Sequence, residues 1–247
     1  LFVLADRVVL ITGGARMGAS LAQACAERGA HIALSYSRSP SAIAGAVETV
    51  TAAGRRGRAF FADLRQPQAC QRLVADVLDW AGRLDVLVCL ASTYDRVPLG
   101  DVTPDLWHQQ LAVDLDASFH CARAAAAHMR TRGSGHIILC SDWVAASGRP
   151  RYTGYVPYYV AKAGVVALTE ALALELAEAG VQVNAIAPGP ILPAAGSTAE
   201  MQQAVIAATP LGHWGGPEVV AHTVIGLLAQ DWVTGQVVRV DGGRHLG

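Results

Sequence analysis

Short, unbroken apolar runs recur along this chain, each followed by a stretch of helical periodicity, and that alternation constrains the fold more than any other feature. The runs fall at 7–12, 31–36, 58–62, 84–90, 136–141, 182–187 and 237–240. The helical stretches fall at 19–28, 40–53, 67–81, 104–130, 157–179, 198–208 and 217–230. A strand that is apolar at successive positions has no polar face to turn to water, so both sides of its sheet must be covered. Strands joined through helices run parallel, with helices on both faces. The expected class is α/β, a doubly wound parallel sheet. Apolar residues make up 52% of the 247, enough to fill a core on two faces. No linker, repeat or low-complexity segment divides the chain, so residues 1–247 are read as a single domain.

Several function classes are excluded at this level. The net charge is −1 and no basic run occurs, so neither nucleic acid nor an anionic membrane is the expected partner. No stretch is long and apolar enough to span a membrane. The opening LFVLADRVVLITGG is broken by Asp6 and Arg7 and reads as a first strand rather than a targeting segment. The five cysteines are scattered through apolar segments without a CxxC, which fits reduced thiols in a cytoplasmic protein. The histidines have no ligand spacing, so no metal site is expected.

Two turns point to a nucleotide. The first apolar run leads into Thr12-Gly13-Gly14-Ala15-Arg16-Met17-Gly18. Glycines there permit a tight strand-to-helix turn and bring backbone close to a pyrophosphate at the helix N-terminus. The second run ends Ser35-Tyr36-Ser37-Arg38-Ser39, without the acid that binds a ribose 2′-hydroxyl. Arg38 and Ser39 suit a 2′-phosphate instead, the arginine through its planar fork, with Arg16 assisting from the glycine turn. The cofactor expected is NADPH/NADP. The alternative for Arg38 is a solvated loop residue.

Chemistry concentrates in 141–162, SDWVAASGRPRYTGYVPYYVAK. Tyr158 and Lys162 stand four residues apart on a helix, so their polar heads converge on one face. An ammonium beside a phenol favours the phenolate, so Lys162 is expected to lower the Tyr158 pKa from its ordinary ~10. A phenol so tuned gives or takes a proton near neutral pH. Tyr155 and Tyr159 are neighbours without a lysine four residues on.

Further stretches extend the pattern. Ala62-Asp63-Leu64 follows the third run and Leu90-Ala91-Ser92 the fourth. Later come Asn184-x-x-x-Pro188-Gly189, Pro210-Leu211-Gly212 and Val240-Asp241-Gly242-Gly243. With the glycine turn and Tyr158-x-x-x-Lys162, these make the chain resemble a classical short-chain dehydrogenase/reductase over nearly its whole length. The resemblance implies a Rossmann-type fold, NAD(P)-dependent oxidoreduction of a small-molecule substrate, and a homotetramer. It casts Tyr158 as proton donor, with Lys162 as its electrostatic partner and a ribose ligand. Gly13, Gly18, Ala91 and Ser92 belong to the implied cofactor site. Asp63 and Leu64 would border the adenine, and Pro188, Gly189 and Ile191 the nicotinamide. The segment 190–208 would cover the substrate as a lid.

Within that family the chain is most similar to the pteridine-reductase-like branch, where an aspartate replaces the usual serine at the end of the fifth strand. Asp142 takes that place, and a shift of one residue gives it to Ser141. The chain departs from the family in a shortened glycine turn and in Cys89-Leu90-Ala91-Ser92, where paired asparagines are usual. A further departure is Asp114, where an asparagine normally holds a water linked to the lysine. The loop at 147–154 is also lengthened. An ionised Asp142 would raise the Tyr158 pKa against Lys162, whereas a protonated one could deliver a proton to a ring nitrogen. Three readings stay open: an NADPH-dependent reductase of a pterin-like heterocycle, a 3-oxoacyl or ketone carbonyl reductase, and a nucleotide-binding protein with little turnover.

Overall fold

Every apolar run becomes a strand of one sheet in the computed structural model, which describes residues 2–38, 41–194 and 196–247. The first half runs β1 (Val8–Thr12), α1 (Met17–Ala26), β2 (His31–Tyr36), α2 (Ser41–Ala52), β3 (Gly57–Phe61), α3 (Pro67–Ala81) and β4 (Val86–Cys89). Next come α4 (Pro104–Leu111), a π-helical turn (Ala112–Asp116), α5 (Ala117–Arg132), β5 (Gly135–Cys140), α6 (Trp143–Ala146) and α7 (Val156–Leu176). The chain continues through β6 (Val181–Pro188), α8 (Ala199–Ala207), α9 (Pro217–Leu228) and β7 (Val237–Val240). All strand pairs are parallel, in the order β3-β2-β1-β4-β5-β6-β7. The order reverses between β1 and β4. In such sheets the crevice outside the carboxyl ends of the strands at that point is where ligands bind.

The strands β1, β4 and β5 are buried at every position. Alternate residues serve two cores, because successive strand side chains point to opposite faces. Val8 and Leu10 pack with α3, α5 and α7, while Val9 and Ile11 pack with α1, α2 and α9. The buried face of α5 is built from small residues, among them Ala117, Cys121, Ala122 and Ala125. Helix α3 opens on Pro67 and stops at Gly82, which takes the left-handed conformation at φ 73°.

Two features near the carboxyl ends differ from the sequence expectation. The helix expected over 104–130 is interrupted by the π-turn, which carries the buried Asp114. Such wide turns hold an extra residue and are frequent at functional sites. The short α6 was not expected. Asp142 caps it, its side chain accepting from the Val144 N–H at 2.8 Å.

Candidate functional site

A cleft of about 720 Å³ opens where the strand order reverses. Gly13, Gly14 and Arg16 line it from the glycine turn, and Ser37 and Arg38 from the end of β2. Ala91 and Ser92 border it after β4, and Pro188, Gly189 and Ile191 at the end of β6. Gly13 has φ +71°, and a Cβ there would lie 2.7 Å from the Ala91 nitrogen. Only glycine lets the turn approach β4 so closely. Gly18 sits behind the turn rather than in the cleft wall, where a Cβ would lie 2.6 Å from the Gly13 carbonyl oxygen. The shortened turn puts its bend on Arg16, a non-glycine residue at φ 54°. No side chain caps α1 and no acid occupies its first turn. This bare helix start behind a glycine cradle, with arginines beside it, fits a dinucleotide's phosphates.

Two more of the expected cofactor residues, Asp63 and Leu64, stand away from the cleft lining. The Asp63 carboxylate is held by Arg65 at 2.7 Å, which keeps its pKa below the usual value. Leu64 is buried in the core. Ser39 lies outside the described residues.

Helix α7, with Pro157 in its first turn, brings Tyr158 and Lys162 to the cleft floor. The Tyr158 hydroxyl donates to Asp142 Oδ2 at 3.1 Å. Ser141 is engaged elsewhere, its hydroxyl donating to the Lys162 carbonyl at 2.8 Å. It is therefore Asp142, not Ser141, that contacts the phenol. Lys162 Nζ lies 3.0 Å from Asp114 Oδ1 and 2.9 Å from the Cys140 carbonyl oxygen. The resemblance implied a water between residue 114 and the lysine, but the aspartate meets the ammonium directly because opposite charges attract once both are buried. Asp114 also accepts from the Ser92 hydroxyl, from Thr93 through its N–H at 3.1 Å and its hydroxyl at 3.0 Å, and from the Gln110 amide at 2.5 Å.

The electrostatics reverse one expectation. Tyr158 is pushed well above its ordinary pKa, first by burial and then by the charges of Asp142 and Asp114. The lysine does not prevail because Asp114 offsets its charge at close range. Burial opposes the charge on Lys162, yet Asp114 and its neighbours raise the lysine's pKa. Burial also raises Asp142, against hydrogen bonds from Val144 and Tyr158 and the charge of Lys162. In this state Tyr158 is a phenol that holds its proton, and the Asp142 carboxyl beside it sits above the usual carboxylate range.

Sequence reasoning missed Thr93 and Gln110, although Gln110 stands one turn before Asp114. It also missed the role of Tyr94 and Tyr152, which line the cleft with Tyr155, and of Trp214 and Arg244 at its far side. The implied lid segment contributes Ser197, Met201, Gln202 and Val205 to the lining. Among the described residues no helix is long and apolar enough to cross a membrane, and no group of three or more His, Cys, Asp or Glu is placed to hold a metal ion.

Comparison with known proteins gives consistent likenesses. Residues 14–245 match the family model described as enoyl-(acyl carrier protein) reductase. The chain is 35% identical to (2S)-[(R)-hydroxy(phenyl)methyl]succinyl-CoA dehydrogenase subunit BbsD of Thauera aromatica, over 98% of this chain and 97% of that one. It is 32% identical to the 3-oxoacyl-[acyl-carrier-protein] reductase FabG of Staphylococcus aureus, over 96% and 97%. Among solved structures, a short-chain dehydrogenase/reductase from Serratia marcescens superposes with TM-score 0.91 at 28% identity, covering 98% of this chain and 99% of that one. Acetoin dehydrogenase from Enterobacter cloacae does so with TM-score 0.88 at 31% identity, covering 98% and 96%.

Proposed function

The chain belongs to the classical short-chain dehydrogenase/reductase family, and from that premise we propose that it reduces the carbonyl group of a small molecule, a 3-oxoacyl thioester or a ketone, using NADPH. The observation that carries this reading is the Tyr158 hydroxyl, a half-buried proton-holding donor at the floor of the cleft. A substrate carbonyl oxygen placed there accepts its hydrogen bond. When bound, the reduced nicotinamide supplies the hydride to the carbonyl carbon. As the oxygen gains charge, Tyr158 gives up its proton, and the product leaves as the alcohol. Asp142, 3.1 Å from the phenol, is placed to relay a proton taken up from solvent back to it after each turnover. Lys162, fixed by Asp114 and the Cys140 carbonyl, sets the field around the phenol and is the residue to meet a ribose hydroxyl. Arg38 and Arg16 would take the 2′-phosphate.

The named relatives support the carbonyl reading over the pterin-like heterocycle, since they are by name an oxoacyl reductase and alcohol-oxidising dehydrogenases. One observation favours C=N reduction as a second reading: a second proton-handling group, the Asp142 carboxyl, whose pKa burial raises, lies 3.1 Å from the Tyr158 hydroxyl. The same proposal puts the protein in the cytoplasm as a homotetramer. Five free, buried cysteines support the first, and Phe119, Val160 and Leu174, exposed along α5 and α7, the second. The test is loss of nicotinamide absorbance on mixing the protein and NADPH with a 3-oxoacyl thioester, small ketones and a dihydropteridine. Turnover of the carbonyl compounds is expected. NADPH binding without turnover of any of them would replace this reading with the nucleotide-binding one, and turnover of the dihydropteridine alone with the second.

A further inference from the structure

We infer that the substrate carries a flat, uncharged aromatic ring, seated in a tyrosine-lined pocket beside the Tyr158 hydroxyl. This rests on the reductase reading above and deepens it. The chain has 6 tyrosines, and five of them, Tyr94, Tyr152, Tyr155, Tyr158 and Tyr159, line one cavity of about 260 Å³. Aromatic residues are only 6% of the chain, so this concentration is local. Asp142 also lines the pocket. The pocket therefore shares its wall with the proton donor, and a ring seated in it would hold an attached carbonyl at Tyr158.

The ring geometry favours an aromatic guest over an alkyl chain. Tyr94 and Tyr155 are stacked, with centroids 4.6 Å apart and planes at 18°. Tyr158 meets Tyr94 edge-on at 4.8 Å and 77°, and Tyr152 meets Tyr155 edge-on at 6.4 Å and 70°. A ring is attracted by faces offset from it and by edges turned towards it, and this cluster presents both. Tyr94 and Tyr152 remain 49% and 44% exposed, which leaves aromatic surface for a guest to cover. An apolar cavity of about 150 Å³ takes up benzene, so the space suffices for a ring and its link to the reacting carbon. Arg151 lines the pocket, its guanidinium 5.9 Å from the Trp143 ring centre. That positive charge is matched by the Asp142 carboxyl in the same lining, so the pocket gives no net charge for a charged guest to pair with.

The test compares two 3-oxo esters that differ only in the group beyond the ketone, ethyl benzoylacetate and ethyl acetoacetate, with NADPH. Wild type is expected to favour the phenyl ketone in kcat/KM by tenfold or more, about the value of one buried ring in contact with others. Tyr152→Leu and Tyr155→Leu should each lower kcat/KM for the phenyl ketone by about five- to thirtyfold, mostly through KM, and by clearly more than for the methyl ketone. Tyr155→Phe keeps the ring and should keep the preference. Equal losses on both esters, or wild-type turnover of the methyl ketone with no phenyl preference, would overturn the ring inference and leave the reductase reading intact. Turnover of neither ester, with NADPH still bound, would overturn both.

Discussion

Lys162 and Asp114 form an ion pair at 3.0 Å with both side chains withdrawn from water, 2% and 0% exposed. Removing one member of such a pair strands the other charge, at a cost of about 3–5 kcal/mol. Asp114→Leu also leaves Ser92, Thr93 and Gln110 without their shared acceptor. It is expected to lower the urea midpoint strongly. Asp114→Asn keeps an acceptor and the fold. It removes one of the charges that raise the Tyr158 pKa and frees the lysine's charge to act on the phenol. The basic limb of its kcat/KM profile should move to lower pH, and an unmoved or raised limb would show that Asp114 does not govern the phenol.

Tyr158→Phe deletes only the hydroxyl. NADPH affinity and the melting temperature should hold, while kcat falls by about two to four powers of ten, the range of a general acid. Tyr155→Phe is the control, because its ring stacks on Tyr94 and has no lysine partner. Loss of activity there with an active Tyr158→Phe would move the donor to the wrong tyrosine for the reading given above.

Asp142→Ser separates substrate classes. A serine still hydrogen-bonds a carbonyl oxygen but does not deliver a proton to a ring nitrogen near neutral pH. Ketone reduction should stay within about one power of ten, while any dihydropteridine activity falls by about two to four. Ser141→Ala, which removes only a hydroxyl bound to the Lys162 carbonyl, should leave the ratio between the two substrates unchanged. A changed ratio in Ser141→Ala with a silent Asp142→Ser would reverse the roles of the two residues.

Arg38→Ala should weaken NADPH by about 1.5–3 kcal/mol, the scale of hydrogen bonds to a charged group, and leave NADH nearly unchanged. Titration of both cofactors by fluorescence measures it. Equal losses would mean that Arg38 does not read the 2′-phosphate.

His136 sets a limit on acid stability. It is 5% exposed, within β5, and burial with the charge of Arg7 lowers its pKa from 6.5 to about 4. Between those values the unfolded chain binds a proton that the folded chain refuses. The contribution is fully present above about pH 6.5 and declines as the pH falls towards 4, by about 3 kcal/mol in all. Urea midpoints of wild type and His136→Gln should therefore diverge in slope between pH 7 and 4.5, with the variant flatter.

The parallel, doubly covered sheet was legible because β1, β4 and β5 are apolar at nearly every position, although nothing in those runs gives the order of the strands across the sheet. Tyr158 and Lys162 were legible because a spacing of four on a helix needs no tertiary information. The direct contact between Asp114 and Lys162 was not, since periodicity reading assumes regular helix and nothing in Val113-Asp114-Leu115 announces a wide turn. The engagement of Asp63 was not legible either, since its partner Arg65 lies only two residues on in the same turn and takes the carboxylate. The tyrosine pocket joins Tyr94, after β4, to Tyr152 and Tyr155, before α7. Residues so far apart meet only through the parallel order of β4 and β5.

The π-turn has a consequence for how this chain tolerates changes in length. It absorbs one surplus residue between two intact helices, α4 and α5. Deleting a single residue from Ala112–Asp116 would rewind the segment into continuous α-helix and rotate α4 by about 100° against α5, one residue's share of a 3.6-residue turn. Gln110 and Asp114 would then no longer look into the cleft together. The turn acts as a phase shifter, and its length rather than its composition decides which side chains of the long helix face the lysine.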